Sequence, residues 1–217
     1  MGKGSTSLGG SGGGGGGAPA NVTETTDIWS YRHNENNAPF VDAINSGLRS
    51  IDNDFNGFAG GINTVDAVRM SGAADNDTLG FWNPGTKQLA MNARYTDTDK
   101  MNNVMDSAKQ SGFHPSRGNK TGTEAVALHE AGHALTDKMA ADNGFRDLHA
   151  FSADVVKNAY KKSGMKGGNL GFAKTISQYA TKNYAECVAE AVTDWYCNGN
   201  KAANASKLIM AELKNYR

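Results

Sequence analysis

At 217 residues the chain can bury one ordinary hydrophobic core, and a second domain would be cramped. Its 22 Lys and Arg balance 22 Asp and Glu, which argues against a nucleic-acid binder, since such proteins carry a basic excess. No apolar run approaches the length that spans a bilayer and the N-terminus lacks the apolar stretch of a secretory signal, so the expectation is a soluble intracellular protein without a membrane partner.

Residues 1–24 form a Gly/Ser-rich stretch that buries too little apolar surface to offset its ordering entropy, so a flexible tail is expected. Its opening Met1-Gly2-Lys3-Gly4-Ser5-Thr6 fits a myristoylation pattern formally, but in so Gly-rich a tract the match reads as accidental. Residues 25–217 read as a single domain. From Pro39 the pattern is helical, with Phe40, Ile44, Leu48, Ile51 and Phe55 at three- and four-residue intervals and Asn56-Gly57 as the stop. A β-like stretch covers Ile62 to Met70. Leu79–Trp82 and Lys87–Met91 flank Asn83-Pro84-Gly85-Thr86, which predicts a hairpin. A short helix carries Met101, Val104, Met105 and Ala108, and a loop follows from Phe113 to Lys120.

Thr121 and Glu124 have capping-box spacing ahead of an unbroken helix from Ala125 to Ala141. Leu148, Phe151, Val155 and Ala159 predict the next helix, closed by Lys161-Lys162-Ser163-Gly164. Gly164 to Gly171 reads as loop, Asn183 to Cys197 as helix, and a polar helix with Leu208, Ile209 and Leu213 ends the chain. The fold class is therefore α+β, a small antiparallel sheet followed by helices. On one helix Cys187 and Cys197 would lie about 15 Å apart along the axis, beyond the about 7 Å that a disulfide allows between Cα atoms. Neither belongs to a Cys-x-x-Cys pair, so both read as reduced structural thiols.

The chemistry-bearing motif is His129-Glu130-Ala131-Gly132-His133. Histidines four apart on a helix share a face and can converge on one tetrahedral zinc, with Glu130 beside the open coordination position as a proton acceptor. The bland alternative is a helix with two solvated histidines, and a third ligand decides between them. Thr136 and Met139 stand where a three-histidine continuation would need Gly and His, which excludes that site. His33 and His114 read as loop or surface residues, with His114 brought near the site by its loop, which leads into the motif helix. Nothing around His149 supports its swinging in, and Asp137 is a weaker candidate ligand. Glu186 and Glu190 are again four apart, in the small apolar run Ala185-Glu186-Cys187-Val188-Ala189-Glu190-Ala191-Val192. Acids in such a setting need partners. Glu186 is expected to ligate zinc, and Glu190 to accept the free ring N–H of a ligating histidine and fix its tautomer. Asp194 reads as a surface or helix-end residue.

The motif together with Ser177-Gln178-Tyr179-Ala180-Thr181-Lys182-Asn183-Tyr184-Ala185-Glu186-Cys187-Val188-Ala189-Glu190-Ala191 resembles the catalytic core of the anthrax-lethal-factor-like zincins, whose relatives occur in proteins of phages and mobile elements. The resemblance covers about residues 121–195 and departs at Cys187-Val188, where that family has bulky aromatics. It implies a zincin-like fold, Glu186 as third zinc ligand, Glu190 behind it, and Tyr179 as a hydrogen-bond donor to the developing oxyanion. A phenol stays a neutral donor at pH 7, which suits that part. The expected cofactor is one zinc ion per chain, and the expected reaction is peptide-bond hydrolysis by a zinc-activated water with Glu130 as general base. The substrate would be a protein or peptide added as a strand along Leu89–Arg94 or the facing strand. The alternative is a weakly active or inactive zincin-fold structural or cargo protein of a phage particle, located in the virion or host cytoplasm, with the Gly-rich tail as an assembly tether.

Overall fold

The computed structural model describes Pro19–Ala20, Tyr31–Arg32, residues 38–68 and residues 78–216. The expected tail falls outside the described residues except for Pro19–Ala20, and so do His33 and the end of the predicted first strand at residues 69–70. Strand β1 (Pro19–Ala20) pairs antiparallel with β2 (Tyr31–Arg32). Helix α1 (Ala38–Asp54) buries Phe40, Ile44, Leu48 and Ile51 completely, the stripe that three- and four-residue spacing dictates. Gly57, at φ 83°, supplies the left-handed turn after it.

Strands β3 (Thr64–Val68), β4 (Gly80–Asn83) and β5 (Gln88–Asn92) form a three-stranded sheet in the order β3-β5-β4. The hairpin forms as its turn residues predict: Asn83 Oδ1 accepts the N–H groups of Gly85 (3.0 Å) and Thr86 (3.3 Å). The sheet is mixed, which corrects the expectation of an antiparallel one. Val65 registers with Leu89 in parallel, because β5 returns from the hairpin into the slot beside β3 and runs in its direction. The central strand β5 is buried from Leu89 to Asn92. Its backbone is therefore paired on both sides, and Leu89–Arg94 is no free edge. The facing strand β4 is an outer strand of this sheet.

Helix α2 (Thr98–Gln110) leads through a loop to α3 (Gly122–Asp142), which packs against α1, α2, α4, α6 and the β4–β5 hairpin. Thr121 Oγ1 accepts the Glu124 N–H at 3.1 Å, as expected of the cap. The reciprocal half of the box is absent: the Glu124 carboxylate instead takes Ser46 Oγ (2.8 Å) and Lys120 Nζ (2.5 Å). Helix α4 (Leu148–Ser163) ends on Gly164 at φ 65°. Helix α5 (Gly168–Lys174) begins inside the stretch expected to be loop; the fully buried Phe172 anchors it despite two glycines. Asn183 Oδ1 caps α6 (Tyr184–Asn198) by accepting the Glu186 N–H at 2.9 Å.

Helix α7 (Asn204–Lys214) closes the described chain on Ile209, Met210 and Leu213, all buried. Asp194 is buried rather than at the surface, because its carboxylate ties α6 to α7. It accepts from Asn198 Nδ2, the Ala203 N–H and Ser206 Oγ at 2.9, 2.8 and 2.6 Å. Cys187 and Cys197 are free and buried on α6, and burial pushes both thiols up to about 12. No helix among the described residues is long and apolar enough to cross a membrane.

Candidate metal centre

Helices α3 and α6 approach closely because small residues face each other. A Cβ on Gly132 would lie 3.0 Å from Ala189 Cα. This proximity brings Glu186, at the start of α6, against the histidine face of α3. Glu186 Oε2 lies 3.1 Å from His129 Nε2 and 3.2 Å from His133 Nε2, and the two imidazoles stand 5.0 Å apart at 80°. Ligand atoms of His129, His133 and Glu186 all fall within 4.8 Å of one another, the only such group among the described residues.

The far side of His129 is held as well. Its Nδ1 lies 2.9 Å from Glu190 Oε1. Glu190 is 1% exposed and also receives Ser177 Oγ at 2.6 Å and His114 Nδ1 at 3.0 Å. Burial alone would raise the Glu190 carboxyl, but its bonds to His114 and His129 outweigh that and hold it at about 2. Burial likewise opposes ionisation of Glu186, yet the two imidazoles hold it well below the usual carboxylate range. Burial would lower His129, and the bonds to Glu186 and Glu190 instead raise it well above its ordinary value.

A mostly covered imidazole with a carboxylate on each nitrogen calls for positive charge between Nε2 and Glu186. A divalent ion bound by Nε2, with Nδ1–H donated to Glu190, meets that demand and satisfies both carboxylates. The donor set of two imidazoles and one carboxylate suits zinc.

Glu130 is buried on the same helix, against β4. A Cβ on Gly80 would meet Glu130 Cγ at 3.0 Å. Burial raises the Glu130 carboxyl; the neighbouring imidazoles and the Trp82 backbone N–H lower it, and the net shift is upward. Tyr179 stands in a short helical turn (Tyr179–Thr181) just before α6. Its hydroxyl donates to Glu186 Oε1 at 3.3 Å and accepts from Lys182 Nζ at 3.0 Å. Its ring is hemmed by Phe113, His114 and His129 at 5.2, 5.1 and 5.8 Å. Burial raises this phenol, so it stays protonated at neutral pH.

The structure thus brings together His129, Glu130, His133, Tyr179, Glu186 and Glu190. It leaves out His149, which is exposed on α4, and Asp137, whose carboxylate takes Trp82 Nε1 (3.1 Å) and Lys87 Nζ (2.7 Å). Three residues of this neighbourhood carried no assigned part in the sequence reading. His114 lies beside the site, where a loop leading into α3 could bring it: the Gln178 and Tyr179 N–H groups pair with the Gly112 and Phe113 carbonyls and press that loop onto the site. Ser177 and Lys182 fall within the Ser177–Ala191 stretch, but as ordinary polar residues there neither is given a part by its neighbours. No protein-family model matches this chain, and no curated protein or solved structure matches it either.

Proposed function

We propose that this chain is a zinc-dependent metallopeptidase with a zincin-like domain over residues 25–217. The observation that carries the reading is His129 held between Glu186 and Glu190, with His133 and Glu130 on the same helix. His129 Nε2, His133 Nε2 and Glu186 would hold the zinc ion, which supplies Lewis acidity toward a water molecule and a substrate carbonyl. Glu130, buried and with its carboxyl raised, takes the proton from the attacking water and passes it to the leaving amine nitrogen. Tyr179, which keeps its proton, donates a hydrogen bond to the carbonyl oxygen as that oxygen gains negative charge. Glu190 keeps the proton on His129 Nδ1, so that Nε2 presents its lone pair.

The substrate is a protein or peptide, laid along β4, whose Trp82 N–H already reaches Glu130. The protein works inside a cell, or in a virion or host cytoplasm if phage-encoded.

The test is purification from zinc-supplemented medium, followed by metal analysis and cleavage-site proteomics in a host lysate. One zinc per chain and cleavage lost in Glu130→Gln, with the metal retained, are the expected results. Absence of any bound divalent ion refutes the reading. Bound zinc without cleavage by the wild type leaves a zincin-fold scaffold or cargo protein.

A further inference from the structure

The charges of this neutral chain are unevenly placed. Between Asp154 and Glu186 lie 31 residues with six lysines (157, 161, 162, 166, 174 and 182) and no Asp or Glu. The other 186 residues carry the remaining 16 Lys and Arg against all 22 acids. All six lysines are exposed.

Side-chain contacts join their elements into one surface. The Lys157 ammonium lies 5.8 Å over the Tyr184 ring at the start of α6, and Lys161 follows one turn along the same face of α4. Tyr184 accepts from Asn169 at the start of α5 (3.0 Å), and the Gly168 N–H reaches Tyr160 on α4 (3.0 Å). Lys174 closes α5, which packs on the Tyr179–Thr181 turn. Lys182, two residues before Tyr184, stands 4.7 Å over the Tyr179 ring at the mouth of the metal centre. Leu170, at 65% the more exposed of the two exposed large apolar side chains among the described residues, projects from α5.

The acids that flank this surface are engaged. Asp154 accepts from Asn158 and Tyr216, Glu212 pairs with Lys162, and Glu186 belongs to the metal centre.

We propose that the α4–α5 face is a docking surface for an acidic polypeptide segment bearing an apolar residue, carried by the substrate outside its cleaved bond. The proposal rests on the peptidase reading of the adjoining site. Charge complementarity selects the occupant: a row of cations that ends at a peptide cleft draws an acidic stretch of the same substrate. The cations are all lysines, and the segment's aromatic rings (Tyr160, Phe172, Tyr179 and Tyr184) are buried or half-buried. Nucleic-acid surfaces favour the arginine fork and open stacking rings, so a polypeptide fits better.

The test measures binding, independent of turnover, with the full chain carrying Glu130→Gln. The probe is a fluorescein-labelled peptide of glutamates around a central leucine, followed by anisotropy. Expected is salt-sensitive binding that weakens about tenfold when Lys157, Lys161, Lys166 and Lys174 are all changed to Gln. The corresponding Lys→Arg protein should bind as the parent does, and a peptide with Gln in place of Glu should not bind. Equal affinity of parent and Lys→Gln protein for the acidic peptide overturns the proposal. So does tighter binding of an oligothymidylate or of phosphatidylserine vesicles than of that peptide. Failure of the wild type to cleave any substrate would sink the peptidase reading and leave these binding results unchanged.

Discussion

Gly132 offers the most direct test of how the proposed metal centre is assembled. It lies between the two histidines, where α3 meets α6. An alanine Cβ there would stand 3.0 Å from Ala189 Cα and 3.4 Å from Ala189 Cβ and Val192 Cβ. Ordinary carbon contacts are about 3.5–4.0 Å, so α6 must retreat by about half an ångström. The nearest obstacle is backbone, and no rotamer change relieves it. Overpacking of this kind costs about 1–3 kcal/mol, and removing a helical glycine returns about 1 kcal/mol. The net is a destabilisation of about 0–2 kcal/mol, which lowers Tm by up to about 4–8 °C in a domain of this size.

The effect on the site should be larger. Glu186 rides on α6 one turn before Ala189, and its Oε2 sits 3.1 and 3.2 Å from the two imidazoles. Metal–ligand distances tolerate deviations of only about 0.2 Å. Gly132→Ala should therefore weaken zinc binding about tenfold or more in chelator competition, while thermal unfolding of the metal-free protein moves modestly. A variant with raised Tm and unchanged zinc affinity would refute the close-packing argument.

Other expectations follow from the same contacts. Glu190→Ala strips the carboxylate from Ser177, His114 and His129 and should cost about 3–5 kcal/mol in urea unfolding; Glu190→Gln, which still accepts, should cost less. Glu190 is held at about 2 against an ordinary 4.5, so the unfolded chain takes up this proton first. Its stabilisation is complete above about pH 4.5 and is lost as pH falls toward 2. Metal-free wild type should accordingly lose about 2–3 kcal/mol more than Glu190→Gln between about pH 5 and pH 2.5. Cys187 and Cys197, pushed up to about 12, should resist a disulfide reagent at about pH 8 in the native chain and react in urea. Labelling faster than global unfolding would show that α6 opens locally. Lys182 donates to the Tyr179 hydroxyl and leaves the phenol's own proton to be given elsewhere. Lys182→Met should lower kcat several-fold with little change in KM, and should do nothing further in Tyr179→Phe.

What the sequence made legible is what short-range geometry governs. The Phe40–Ile51 stripe, the Asn83–Thr86 turn, the Thr121 and Asn183 caps and the four-residue spacing of both acid and histidine pairs depend on neighbours within a turn or two. What stayed hidden depends on distant partners. The parallel pairing of β3 is set by where the hairpin returns. Helix α5 survives its glycines only because Phe172 finds a core. Asp194 looks like a surface acid until α7 folds back to give it the Ala203 N–H and Ser206 Oγ.

Glu190 lies on the boundary between the two. Its alanine and valine neighbours announce a buried acid, and burial demands partners, but the run around it does not say which. The partners come from three other segments: Ser177 before α6, His114 from the loop ahead of α3, and His129 on α3 itself. A pair of solvated histidines on a helix would require none of this. They would need neither a glycine at the α3–α6 contact, nor a carboxylate in the core, nor a loop pressed against Tyr179. A buried carboxylate costs stability when left unpaired, and here Glu186 and Glu190 converge on the two nitrogens of His129. That convergence argues for a site built to hold positive charge rather than for a chance spacing on α3.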